Sequence, residues 1–202
     1  MKEAPLTVVA LRGPELLPVL DYVARLRIAV FSEWPYLYQG SLAYERDYLA
    51  AYAATPDAVC VVARAGDDVV GASTGLPLLD AGPAFRQPFA QVGLDPARVF
   101  YFGESVLLPA WRGRGIGHAF FDARQAHARA LGRFTLTAFC AVDRDADDPR
   151  RPSGHRDNDR FWRKRGYARQ PGMAMHLCWN ETGRGEVPHS LTFWTRALEP
   201  AA

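Results

Sequence analysis

The sequence is poor in lysine, cysteine and long apolar runs. Lys2 and Lys164 are the only lysines among 24 basic residues, and 22 acids leave a charge of +2 with His neutral. A general nucleic-acid binder carries a stronger basic excess, so no nucleic-acid partner is expected. No stretch approaches the roughly 18 apolar residues of a membrane span, so no membrane partner is expected either. The first residues, MKEAPLTVVALRGPELL, lack the apolar run and small-residue cleavage site of a secretory leader. Cys60, Cys140 and Cys178 lie far apart in apolar runs, which argues against a disulfide framework or a zinc site. They read as small core residues of a cytoplasmic protein. Asp143, Asp145 and Asp147 imitate the start of a calcium loop. The sixth position lacks its glycine and the twelfth is Gly154, so no metal is expected.

What is present is an ordinary globular composition, 49% hydrophobic and 23% charged over 202 residues. That length suits a single domain, 1–202. Residues 6–11 (LTVVAL) read as a strand, and an apolar helical period from Glu15 to Val30 as a helix that Trp34-Pro35 ends or bends. Residues 41–52 read as a second helix with Tyr44, Tyr48 and Tyr52 on one face. Residues 59–64 and 69–77 read as a hairpin around Gly66-Asp67-Asp68. The proline-rich 78–98 reads as an irregular connection. Then come a strongly apolar strand (99–108), a helix (115–131), a strand (134–142), a charged loop (143–156), a short helix (158–165) and strands 167–179 and 191–198. This order makes an α/β (α+β) domain with a central mixed sheet of six to seven strands flanked by helices. The strand–helix–strand unit 99–142 should be parallel through a right-handed crossover.

The run Pro109-Ala110-Trp111-Arg112-Gly113-Arg114-Gly115-Ile116-Gly117 joins that strand to that helix. Alternate glycines let successive backbone N–H groups face one concavity at the positive end of a helix dipole, which is a cradle for pyrophosphate. G-x-G-x-x-G would need glycine where His118 stands, and the Gly-Lys-Ser/Thr of a nucleotide-binding P-loop is absent.

Arg112-x-x-Gly115-x-Gly117 resembles the R/Q-x-x-G-x-G/A signature of the GCN5-related N-acetyltransferase (GNAT) family. The preceding strand, Gly103-Glu104-Ser105-Val106-Leu107-Leu108-Pro109, is similar to the family's fourth strand. The helix after it resembles the central helix, and Phe161-Trp162-Arg163-Lys164-Arg165-Gly166-Tyr167 resembles the family's "FYeklGF" segment. The resemblance implies the GNAT-like acyl-CoA N-acyltransferase fold and acetyl-CoA as co-substrate. The pyrophosphate would meet Arg112, Gly113, Arg114, Gly115, Ile116 and Gly117, and the pantetheine arm would run beside Leu107 and Leu108. Asn158 is the nearest match to a coenzyme-contacting asparagine, although His155 aligns with it. The edge strands of such sheets often pair between subunits, which implies a homodimer by analogy.

The reaction so implied is transfer of acetyl to a primary amine by direct attack in a ternary complex. An amine of pKa about 10.4 arrives protonated, so a base must take its proton. Glu104, a lone acid in an apolar strand, is the candidate. The family's usual thiolate-protonating tyrosine falls at Trp162, whose indole cannot act as an acid, leaving Tyr101, Cys140, His155 and Tyr167 as alternatives. The acceptor segment is 31–40, where Glu33, Tyr36 and Tyr38, with Glu45 nearby, could hold a cationic small-molecule amine against aromatic faces. The alternative is a catalytically weak or inactive acyl-CoA-binding sensor on the same fold, motivated by Trp162.

Overall fold

The structure, a computed structural model, describes residues 5–199. Seven strands form one sheet in the order β1-β2-β3-β4-β5-β7-β6. They are β1 (Leu6–Leu11), β2 (Val59–Ala65), β3 (Asp68–Pro77), β4 (Val99–Leu107), β5 (Leu136–Val142), β6 (Ala168–Glu181) and β7 (Gly185–Ala197). The helices are α1 (Leu20–Phe31), α2 (Leu42–Ala54), α3 (Pro83–Gln91), α4 (Ile116–Ala130) and α5 (Asp159–Lys164). Every neighbouring pair is antiparallel except β4 and β5, the strands joined by the α4 crossover. The sheet is mixed and has the upper number of strands expected.

Alternation along the strands feeds two cores. One face carries Val62, Ala72, Tyr101, Val106 and Phe193 against α1, α2 and α3 residues such as Val23, Leu49 and Phe89. The other carries Val61, Phe100, Phe102, Phe139 and Trp194 against Ile116, Phe120 and Phe121 of α4. At about 25 cal/mol per Å² of apolar area, each fully buried phenylalanine contributes roughly 1.5–3 kcal/mol.

Three expectations need correcting. Residues 78–98 are not irregular throughout. Pro83 starts α3, a position where its missing N–H costs nothing, and Pro88 lies inside the helix, which goes without one intrahelical hydrogen bond there. The first helix opens as a 3-10 stretch, Gly13–Val19, because Pro18 removes a donor there. The last strand begins at Gly185 and not at 191, so β6 and β7 form a long hairpin turning tightly after Glu181.

Candidate active site

The parallel pairing of β4 with β5 covers three positions: Val99↔Leu136, Phe100↔Thr137 and Tyr101↔Ala138. Beyond these β4 stays on β3 as far as Leu107↔Gly71, and β5 stays on β7 as far as Val142↔Leu191. The two strands therefore fork. Backbone groups along Phe102–Leu107 and Phe139–Val142 face a wedge, and unpaired backbone of this kind invites an extended polar guest. At the vertex Tyr101 Oη lies 3.1 Å from Cys140 Sγ. Burial pushes the Cys140 thiol up to about 12, so it is no ready nucleophile at neutral pH.

One side of the wedge carries a β-bulge. Ser73 pairs with Ser105 but Gly75 pairs with Phe102, so β4 holds one extra residue opposite Thr74. The extra residue resets the alternation and turns Glu104 to the same face as Tyr101. The Glu104 backbone is held by side chains of β3: Thr74 Oγ1 accepts from its N–H at 3.3 Å, and Ser73 Oγ donates to its carbonyl at 2.9 Å. Gly103 is required here, because a Cβ would stand 2.4 Å from Thr74 Oγ1 and 2.7 Å from Tyr52 Oη. Beneath the bulge, fully buried Arg124 donates to the Thr74 and Phe120 carbonyls and lies over the Phe102 and Phe121 rings. Burial lowers its pKa to about 10, leaving it cationic at neutral pH.

Glu104 is not the lone acid that its strand suggests. Arg27 of α1 reaches it, Nη1 to Oε1 at 2.6 Å, and also reaches Glu45 of α2, Nε to Oε2 at 2.5 Å. Tyr48 Oη lies 3.2 Å from both Glu104 Oε2 and Tyr52 Oη. All three charged side chains are buried. The two carboxylates outweigh desolvation and raise the Arg27 pKa. The Arg27 guanidinium is thus shared between two acids, and the buried Arg124 acts electrostatically on Glu104 as well. The Phe31 and Tyr48 rings flank the same guanidinium at 5.1 and 4.3 Å.

The glycine loop follows β4 directly. Pro109–Trp111 makes a 3-10 turn, and Gly115, at φ +83°, caps α4 in the left-handed region. Gly113 is also left-handed, and nothing lies within 4 Å of a Cβ placed on either glycine. Space is therefore open beside both glycines at the start of α4, where the helix dipole and its first N–H groups suit an anionic diphosphate. Gly117 is close-packed under Phe161. Leu107 and Leu108 are half-buried at the mouth of the wedge, while Arg112 and Arg114 are exposed. Ile116 is buried in the core below the loop. Arg112 donates to the Leu107 carbonyl at 3.2 Å and to Glu33 at 3.0 Å.

Segment 31–40 wraps over the wedge from the other side. Phe31 and Tyr36 have ring centroids 4.6 Å apart, and Tyr36 and Trp179 lie 5.9 Å apart. Burial raises the pKa of Tyr36, with Cys140 and Glu104 as further contributors. Through Phe31, which lies by the Arg27 guanidinium, Tyr36 is joined to the cluster around Glu104. Burial and Glu45 raise the pKa of Tyr38. Glu33 is exposed and faces the glycine loop through Arg112. Asn158 is exposed at the start of α5, where its carbonyl accepts from Trp162 N–H at 2.9 Å.

Trp162 packs at steep angles on Phe139 at 5.0 Å and edge-on to Trp194 at 5.2 Å. Tyr167 is committed to Thr137 at 2.8 Å and to Gln125. His127, on the apolar stripe of α4, is satisfied by the Asp57 carbonyl at 2.8 Å. Among the described residues no group of three or more His, Cys, Asp or Glu could hold a metal ion.

Burial also gives the fold a pH dependence. It lowers the pKa of His127, His155 and His189. A base with a depressed pKa in the folded state takes its proton first in the unfolded chain. The stability it supports is present above the ordinary value of about 6.5 and is lost as pH falls through it. The urea midpoint should therefore drop between about pH 7.5 and 5.5, and His127→Gln should reduce that drop.

A mixed sheet with a forked parallel pair, a bulge at the fork and a glycine loop opening a helix defines an acyltransferase fold. Residues 25–152, more than half of the chain, match the acetyltransferase (GNAT) family, and the chain belongs to that family. A comparison with curated proteins finds no match. Among solved structures, a GCN5-related N-acetyltransferase from Kribbella flavida is 18% identical. It covers 96% of this chain and 98% of its own, with a TM-score of 0.56. An aminoglycoside 6'-N-acetyltransferase complexed with coenzyme A is 14% identical over 97% of this chain and 99% of its own, TM-score 0.59. The yncA protein of Salmonella typhimurium, solved with its cofactor acetyl-CoA, is 14% identical over 98% and 96%, TM-score 0.57. At these identities the likeness is one of fold.

Proposed function

We propose that the chain, acting as one domain over 1–202, transfers acetyl from acetyl-CoA to a primary amine of a small molecule by direct attack in a ternary complex. The observation that carries this reading is the position of Glu104. A bulge beside the β4/β5 fork turns it to the face covered by the aromatic segment 31–40. The N-terminus of α4 binds the coenzyme diphosphate through backbone N–H groups of 112–117. The wedge beside Leu107 and Leu108 pairs with the amides of the pantetheine arm. A backbone N–H near Leu107 stabilises charge on the thioester oxygen. Glu104 accepts the proton of the attacking amine, directly or through water. The buried acids Glu104 and Glu45, beside the Phe31 and Tyr48 rings, favour a cationic acceptor. With Trp162 packed away in its aromatic cluster, the thiol, of pKa about 8.5, leaves as the thiolate.

Two related structures support the coenzyme. They are the aminoglycoside acetyltransferase with coenzyme A and the Salmonella protein with acetyl-CoA. A reducing, cytoplasmic setting belongs to the same reading and is supported by three unpaired cysteines.

The test is Glu104→Gln. It should keep acetyl-CoA affinity by calorimetry and lower turnover by about 10²–10⁴-fold. The loss should be smallest at high pH, where free amine is plentiful. Wild-type turnover at every pH would remove Glu104 from the reaction. Saturable acetyl-CoA binding without turnover of any amine would favour the sensor.

A further inference from the structure

Three segments far apart in sequence meet at one buried carboxylate at the end of β6. Glu181 is fully buried and is reached by Arg144 at 2.8 Å, by Arg150, by Arg184 at 3.4 Å and by His189 at 3.4 Å. Arg144 stands out because it serves another segment as well. Its Nε donates to the Pro35 carbonyl at 2.6 Å, its Nη2 to the Tyr36 carbonyl at 3.0 Å and its Nη1 to Glu181. The guanidinium also lies 5.5 Å from the Trp34 ring centroid. The side chain is 11% exposed, so these bonds form where water competes little.

The segment it ties needs holding. Leu37 has φ +52°, a left-handed backbone that a leucine adopts only when its surroundings enforce it. The enforcing bonds run to the hairpin: Gln39 N–H to the Asn180 carbonyl, Thr182 N–H to the Leu37 carbonyl, and Trp179 Nε1 to the Tyr36 carbonyl. The residue so fixed is Tyr36, whose ring packs on Trp179 and on Phe31, the ring beside the Arg27 guanidinium that pairs with Glu104.

We propose that Arg144 is a positioning residue for the acceptor: its three-way tie to Pro35, Tyr36 and Glu181 sets the wall against which the amine binds, and the coenzyme loop does not depend on it. This rests on the reading of 31–40 as the acceptor segment. A planar fork with several donors is required, so lysine cannot substitute.

The experiment is hydrogen exchange on the full chain for Arg144→Met and Arg144→Lys, with and without acetyl-CoA. Both variants should lose protection at Tyr38, Gln39 and Thr182, exchanging at least about tenfold faster. Residues 107–117 and the acetyl-CoA affinity should stay as in wild type. Added guanidinium ion should restore protection to Arg144→Met. With whichever amine wild type turns over best in a panel of polyamines, amino acids, aminoglycosides and lysine peptides, KM should rise about tenfold or more at nearly constant kcat, the sign of lost ground-state binding. Unchanged protection in 36–40, or a loss spread evenly over the sheet, would overturn the role. If wild type acetylates no amine in the panel, the proposed function fails, and exchange alone still decides whether Arg144 holds the segment.

Discussion

Gly115→Asp should weaken acetyl-CoA binding about 100-fold while the protein still folds. Gly115 sits at φ +83° where α4 begins, and no atom stands within 4 Å of a Cβ added there. The substitution therefore meets strain and not a clash. A left-handed non-glycine residue costs about 1–2 kcal/mol. In a chain of this size that corresponds to a fall in Tm of roughly 2–8 °C. The functional cost is larger, because the carboxylate would occupy the anion site at the positive end of the helix. A loss of about 100-fold in affinity, near 3 kcal/mol, is expected by calorimetry. Gly115→Ala separates the two effects, since it keeps the strain without the charge and should lose far less binding. Wild-type affinity in Gly115→Asp would place the diphosphate elsewhere.

Arg27→Met should be the most destabilising single substitution at the site. It removes the cation that pairs directly with two buried carboxylates, Glu45 and Glu104. Stranding buried charge in this way costs about 3–5 kcal/mol. At roughly 2–4 °C per kcal/mol, the Tm should fall by about 10 °C. Adding Glu45→Gln should recover part of the loss, because it removes one of the stranded charges, and the double-mutant cycle should be clearly non-additive. Turnover should fall as well, since Arg27 fixes one oxygen of Glu104. A stability change below about 1 kcal/mol would show that the cluster is solvated and weak.

The sequence made legible what depends on local chemistry. The alternate glycines after an apolar strand located the loop at the start of α4, and the β-branched runs located the strands. The connection 78–98 was misjudged because three prolines looked like breakers, whereas Pro83 occupies the one helical position that favours it. The bulge in β4 left no signal, since it is a mismatch between two strands and not a property of one. Arg27 did carry a signal that went unused. It interrupts the apolar stripe Val23, Leu26, Val30 of α1, as Glu45 interrupts a stripe with Leu49 and Tyr52 on α2. Opposite charges set in two apolar stripes point to a buried ion pair. By sequence alone Glu33 and Glu45 both read as holders of an amine. The fold turns Glu33 towards Arg112 and spends Glu45 on Arg27, and neither pairing is visible until α1, α2 and the coenzyme loop are brought together. Arg144 and Glu181 lay 37 residues apart in charged, turn-rich sequence. Only the long β6–β7 hairpin, whose second strand starts at Gly185, brings them to the acceptor segment.

The most direct test of the account is thiol release from acetyl-CoA by the wild-type protein, measured with polyamines, amino acids, aminoglycosides and lysine peptides, with mass spectrometry of each product. The account predicts turnover with a cationic small-molecule amine and an N-acetylated product of that amine. Binding of acetyl-CoA with no acetylated product from any of these classes would contradict it.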